Sequence, residues 1–222
     1  MRRYLPALIL GIAGFAILMS LGNWQLRRAG WKAAQIAEIR RGIEADPVFL
    51  PDHIDPSMKY LPVFARGRTT GKEILVLSGT ESEAGYQVIS GFVTDKGRRI
   101  MVDRGFIPQE ARTLARPPAD LTVDGNLHWP DEVTSSTPEP NLADNIWFAR
   151  EVDRMAGALD TEPVLIVARA TEGDVQGIRP IPLGVEGIPD NHLAYAVQWF
   201  LLAVAWAGMT GLLIWRIHTR SY

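Results

Sequence analysis

Two long apolar runs, one near each end of the chain, constrain this sequence more than any other feature. No residue from Tyr4 to Leu26 carries a formal charge, and the core of the run reads LPALILGIAGFAILMSLG, ending at Gly22. A helix rises about 1.5 Å per residue, so such a run crosses a hydrocarbon core of roughly 30 Å. A cleaved signal peptide is the rival reading, because Met1-Arg2-Arg3 is a basic leader. The run exceeds the usual signal core of about 7–15 residues, and no A-x-A cleavage site follows it. The second run lies between Asp190 and Arg216 and reads NHLAYAVQWFLLAVAWAGMTGLLIW. Trp199, Trp206 and Trp215 line it, and Arg216, His218 and Arg220 follow, as at an interfacial anchor.

Two spans put both termini on one side of a membrane. Arg216 and Arg220 follow the second span, whereas Glu186 and Asp190 precede it, which favours a cytoplasmic C-terminus. The first span is ambiguous, since Arg2 and Arg3 precede it while Arg27, Arg28 and Lys32 follow. Long domains translocate largely regardless of charge, so the second span decides. The expected organisation is a first span over 4–26, an extracytoplasmic domain over 27–190, a second span over 191–215 and a cytoplasmic tail over 216–222. A bacterial-type inner (plasma) membrane is the expected location, and membrane lipid is a partner.

The stretch 23–45 has strong helix formers and no proline, so the first helix should continue out of the membrane and end near Asp46-Pro47. Trp24, Arg28 and Trp31 then share one face. Beyond it the period changes to that of strands: 60–70, 73–79, 86–95, 98–108, 121–129 and 163–169. Asp95-Lys96-Gly97 predicts a hairpin turn, 134–145 a loop, and 151–160 a short helix. No long helices separate the strands. The expected fold is therefore two membrane helices flanking a β-rich α+β domain, an antiparallel sheet or small partly closed barrel.

Composition excludes several chemistries. There is no cysteine among the 222 residues, which removes disulfides, thiol catalysis and Cys-ligated metals. A net charge of -2 offers no basic footprint for nucleic acid. The four histidines make no metal-binding spacing, and no nucleophile elbow or phosphate loop is present. Gly67 to Gly71 reads as a strand-linking turn. Glu81 and Glu83 read as a solvated face rather than an acid–base pair. His192 stands apart, because ionisable residues at the mouth of a membrane helix usually have a role. Tyr195, Ala196 and Trp199 follow at three, four and seven residues, on one helix face. That face suits either a flat apolar ring system with an axial imidazole or a plain interfacial histidine beside an aromatic belt.

LGNWQLRRAGWK (21–32) after the first span resembles the signature of the surfeit locus protein 1 family, assembly factors of haem-copper terminal oxidases. VDRGFIP (102–108) is similar to that family's strand motif, with Asp103, Phe106 and Ile107 where Asn, Trp and Val are common. DNHLAYAVQWF (190–200) resembles the family's opening of the second span, with Asp190 where Asn is common. The resemblance implies a non-enzymatic assembly factor that binds haem a and assists its insertion into cytochrome c oxidase subunit I, with haem a synthase as a further partner. It implies His192 as axial ligand to the haem iron. Tyr195 and Trp199 would flank the ring, and Trp24, Gln25 and Arg28 match the motif after the first span. Two rival readings stand beside it: a membrane-tethered interaction domain without cofactor, and an extracytoplasmic hydrolase using His128 and nearby carboxylates.

Overall fold

In the structure, a computed structural model, residues 5–79, 83–185 and 189–219 are described. Arg2, Arg3, Tyr4, Glu81, Glu186 and Arg220, which entered the topology and paired-carboxylate arguments, lie outside these residues. The chain divides into two compact units, residues 1–38 with 185–222, and residues 39–184.

The first unit holds the two apolar helices. Helix α1 runs Leu5–Glu44 without a break, so 23–45 does continue the first helix. The second span, α3, runs His192–Thr219 and so carries helix past residue 215. Both are long and apolar enough to cross a membrane. Their outer faces stay exposed at Ile9, Leu10, Ile17, Leu202, Val204 and Leu212, where a bilayer would remove them from water. Small residues make the seam between them. A Cβ added at Gly14 would lie 2.4 Å from the Trp206 ring, and one at Gly22 would lie 2.4 Å from the Phe200 ring. Only glycine lets these rings approach so closely.

The second unit is a closed five-stranded barrel. Its strands are β2 (Pro62–Gly79), β3 (Ala84–Thr94), β4 (Arg99–Pro108), β5 (Asp120–Leu127) and β7 (Leu165–Gly173). They pair in the order β2-β3-β4-β7-β5, and β5 closes the ring by pairing with β2. Two-residue strands β1 (Val48–Phe49) and β6 (Ile146–Trp147) each add a parallel pairing to β2. The expected β-rich barrel is present, and its ring is antiparallel at every pairing but one: β4 and β7 run parallel. The connection between them carries β5, the 134–145 loop and helix α2 (Val152–Leu159), long enough for a parallel return.

The expected strands 60–70 and 73–79 are one strand, and Gly67 to Gly71 is not a turn. Register slips between Thr69 and Glu73, with Gly71 at φ +79°. This irregularity bends β2: residues 62–68 pair with β5, while 67–69 and 73–79 pair with β3. A small barrel needs such a bend in a strand this long.

Runs such as Ile100-Met101-Val102 and Leu165-Ile166-Val167 are apolar at every position because both strand faces are buried. Ile100, Val102 and Ile166 point into the cluster that includes Val63, Phe92 and Val123. Met101, Leu165 and Val167 point the other way, against Trp147 and α2 residues Met155 and Leu159. Alternation of period two still sorts the side chains, but both sets find apolar cover.

Candidate functional site

α3 begins at His192, and its Nδ1 lies 2.9 Å from the Gln25 side-chain oxygen on α1. Gln25 follows Gly22 by three residues, one helical turn, and so shares the face that meets α3. His192 is half-buried, and its backbone N–H is within 3.3 Å of the Asp190 carboxylate. Among the described residues, Nε2 of His192 makes no hydrogen bond. The ring therefore has one nitrogen held and one available to a ligand.

The other sequence-nominated residues separate into two groups. Ala196 is fully buried and Trp199 half-buried, so they follow His192 along the covered side of α3. Tyr195 is 51% exposed and turns away from that side. On α1, the Arg28 guanidinium lies 6.0 Å from the Trp24 ring centre and 5.4 Å from that of Trp31. Both indoles are about half exposed, at 48% and 56%. This is a cation–π ladder on an outer face, of the kind that settles at a membrane–water interface. Among the described residues no hydrogen bond joins it to His192.

The VDRGFIP motif lies in the barrel and builds structure. Arg104 and Gly105 together oppose the single residue Val88, a one-residue bulge where β4 pairs with β3. Gly105 has φ +111°, and a Cβ there would lie 2.0 Å from the Arg179 carbonyl, so no other residue fits. The Gly105 N–H donates to Asp103, 3.1 Å away. Arg104 is buried and donates to Gln176 and to the carbonyls of Asp174 and Val175.

Asp103 is 1% exposed and forms an ion pair with Arg150 at 3.0 Å. Burial pushes its carboxyl above the usual range, against the pull of the Arg150 charge. Arg150 also grips Glu132 through its side chain, and its backbone N–H donates to the same carboxylate at 2.9 Å. Burial alone would raise Glu132, but these bonds and the Arg150 charge hold it low. The clue in the sequence was Asp103 itself, a carboxylate within a strand that is otherwise buried.

His128 adjoins this network. It is 9% exposed, tilted against the Tyr60 ring at 5.7 Å, and its Nδ1 is buried without a partner. Burial, then the Arg150 charge, pushes its pKa down to about 4. The two carboxylates of this network, Asp103 and Glu132, are both bound to Arg150. Among the described residues no cluster of three His, Asp or Glu could hold a bare metal ion, whereas a haem needs only an axial nitrogen.

The model of the SURF1 family matches residues 12–204, a stretch that takes in Gln25, the whole barrel and His192. The chain belongs to the SURF1 family. Among curated SURF1 relatives it is similar to Surfeit locus protein 1 of Homo sapiens, 30% identical over 216 residues, covering 83% of this chain and 70% of that protein. Surfeit locus protein 1 of Rattus norvegicus is 27% identical over 219 residues, covering 86% and 70%. A SURF1-like protein of Drosophila melanogaster is 26% identical, covering 86% and 71%. The SURF1 match takes in most of α1, the barrel and the first part of α3.

Proposed function

We propose that this protein is an assembly factor for cytochrome c oxidase that holds haem a as cargo and assists its insertion into subunit I. It acts as a carrier rather than an enzyme. In this reading the bacterial-type inner membrane holds α1 and α3, both termini are cytoplasmic, and the barrel is extracytoplasmic. Haem a synthase supplies the cargo, and membrane lipid surrounds the helices.

The observation that supports the reading best is the state of His192. A half-buried imidazole sits at the first turn of an apolar helix, with Nδ1 engaged and, among the described residues, no hydrogen bond at Nε2. That is the donor arrangement an axial haem ligand needs. Trp199 offers a ring beside it, Tyr195 an exposed aromatic, and Arg28 with Trp24 a cationic edge on the neighbouring helix. Bound haem a carries the redox iron and the apolar tail. The chain's own residues ligate, cover and release it.

The test is the full-length protein, made with haem a synthesis present. Haem a per protein is read from the Soret band and the pyridine haemochrome. His192→Ala should lose most of the haem while the protein still inserts. Trp199→Ala should lose less, since it removes ring packing worth about 1–3 kcal/mol. A colourless wild-type protein, or full haem in His192→Ala, would favour a tethered interaction domain without cofactor.

A further inference from the structure

The bond between His192 and Gln25 joins residues 167 positions apart in sequence, from one membrane helix to the other. An amide oxygen has no proton to give. The Gln25 oxygen lies 2.9 Å from Nδ1, so this contact is a hydrogen bond in the tautomer that carries its proton on Nδ1 and its lone pair on Nε2. We propose that Gln25 is a positioning residue: it fixes the tautomer and ring orientation of His192 and so presents Nε2 to the haem iron. This rests on the haem reading above.

Two further observations point the same way. The first is the seam. The missing Cβ of Gly22 admits the Phe200 ring, and this close approach lies three residues from Gln25 and eight from His192. Helix packing therefore sets the distance at which the amide meets the imidazole. The second is the chemistry of the acceptor. Histidines that bind metals commonly donate their other N–H to a carboxylate, which makes the ring a stronger ligand. Gln25 is neutral, so it polarises the His192 ring less than a carboxylate would. A moderate ligand suits a protein that must give its haem away. The contact also couples the helices to the cargo, because separating α1 from α3 frees the tautomer.

The experiment uses the full-length protein in nanodiscs, labelled with nitrogen-15 histidine. In the haem-free protein, the His192 ring signals are assigned by their loss in His192→Ala. The expected result is a protonated Nδ1 and an unprotonated Nε2. Gln25→Leu should shift the tautomer toward Nε2–H or a mixture, and Gln25→Glu should restore Nδ1–H. With haem a bound, Gln25→Leu should weaken binding about tenfold or more. Gln25→Glu should raise the ferrous iron–histidine stretching frequency, lower the midpoint potential and slow haem release. A wild-type ring protonated on Nε2, or a tautomer unmoved in Gln25→Leu, overturns the positioning role. So does Gln25→Glu with an unchanged stretch and potential. Haem retained in His192→Ala overturns the haem reading instead, and that outcome is separate from the tautomer measured without haem.

Discussion

The indole N–H of Trp206 donates to the backbone carbonyl of Gly11 at 3.0 Å, reaching from the second apolar helix to the first. The same ring fills the space over Gly14. In a bilayer, interhelical hydrogen bonds contribute on average about 0.6 kcal/mol, while close packing of small residues sets the geometry. Trp206→Phe should therefore leave the helix pair intact. Gly14→Leu and Gly22→Val should force the helices apart. The chain has no native cysteine, so a cysteine pair at positions 25 and 192 reports on their proximity without background. Cross-linking of that pair should persist with Trp206→Phe and fall sharply with Gly22→Val.

The buried ion pair gives a prediction about the barrel. Removing one partner of such a pair leaves an uncompensated charge and costs about 3–5 kcal/mol. Arg150→Met should cost that much, because it strands the Asp103 carboxylate at 1% exposure and frees Glu132 as well. Asp103→Asn keeps an acceptor for the Gly105 N–H and leaves Arg150 with Glu132, so it should cost far less. Adding Asp103→Asn to Arg150→Met should recover most of the loss. Denaturant unfolding of the full-length protein in detergent, followed by circular dichroism, measures all three.

His128 gives a pH dependence with a definite sign. Its pKa falls from 6.5 to about 4 on folding, so between those values the unfolded chain binds the proton and the folded chain does not. Its neutral burial is therefore harmless above about pH 6.5, and stability is lost as pH falls toward 4. The full loss is about 3 kcal/mol. Arg150, Lys59 and Glu132 are the charged groups acting on it. His128→Phe keeps a ring against Tyr60 but cannot titrate, so its unfolding midpoint should decline less over this window than that of the wild type.

Topology is testable by fusion. Alkaline phosphatase joined after residue 136, in the loop that follows β5, should be active, because the proposed orientation exports the barrel. A fluorescent protein at the same place should be dark. The reverse pattern would place the barrel in the cytoplasm and invert both helices.

Local pattern alone carried a large part of this protein. Charge-free runs marked both apolar helices, and helix formers without proline carried α1 on to Glu44. Period-two runs located the long strands, because alternation depends only on neighbouring residues. The ordered motifs pointed to the family and to His192. Other features depend on parts of the chain that meet only after folding. Barrel closure joins Pro62 to Asn126, and the bend at Gly71 makes one strand of two expected ones. Asp103 reads as an odd carboxylate until Arg150 arrives from 47 residues away. Gln25 looks like one more polar residue after a membrane span until α3 brings His192 against it. Periodicity records which face a residue occupies, but hydrogen bonds and ion pairs form between faces. Only the packed chain decides which faces meet.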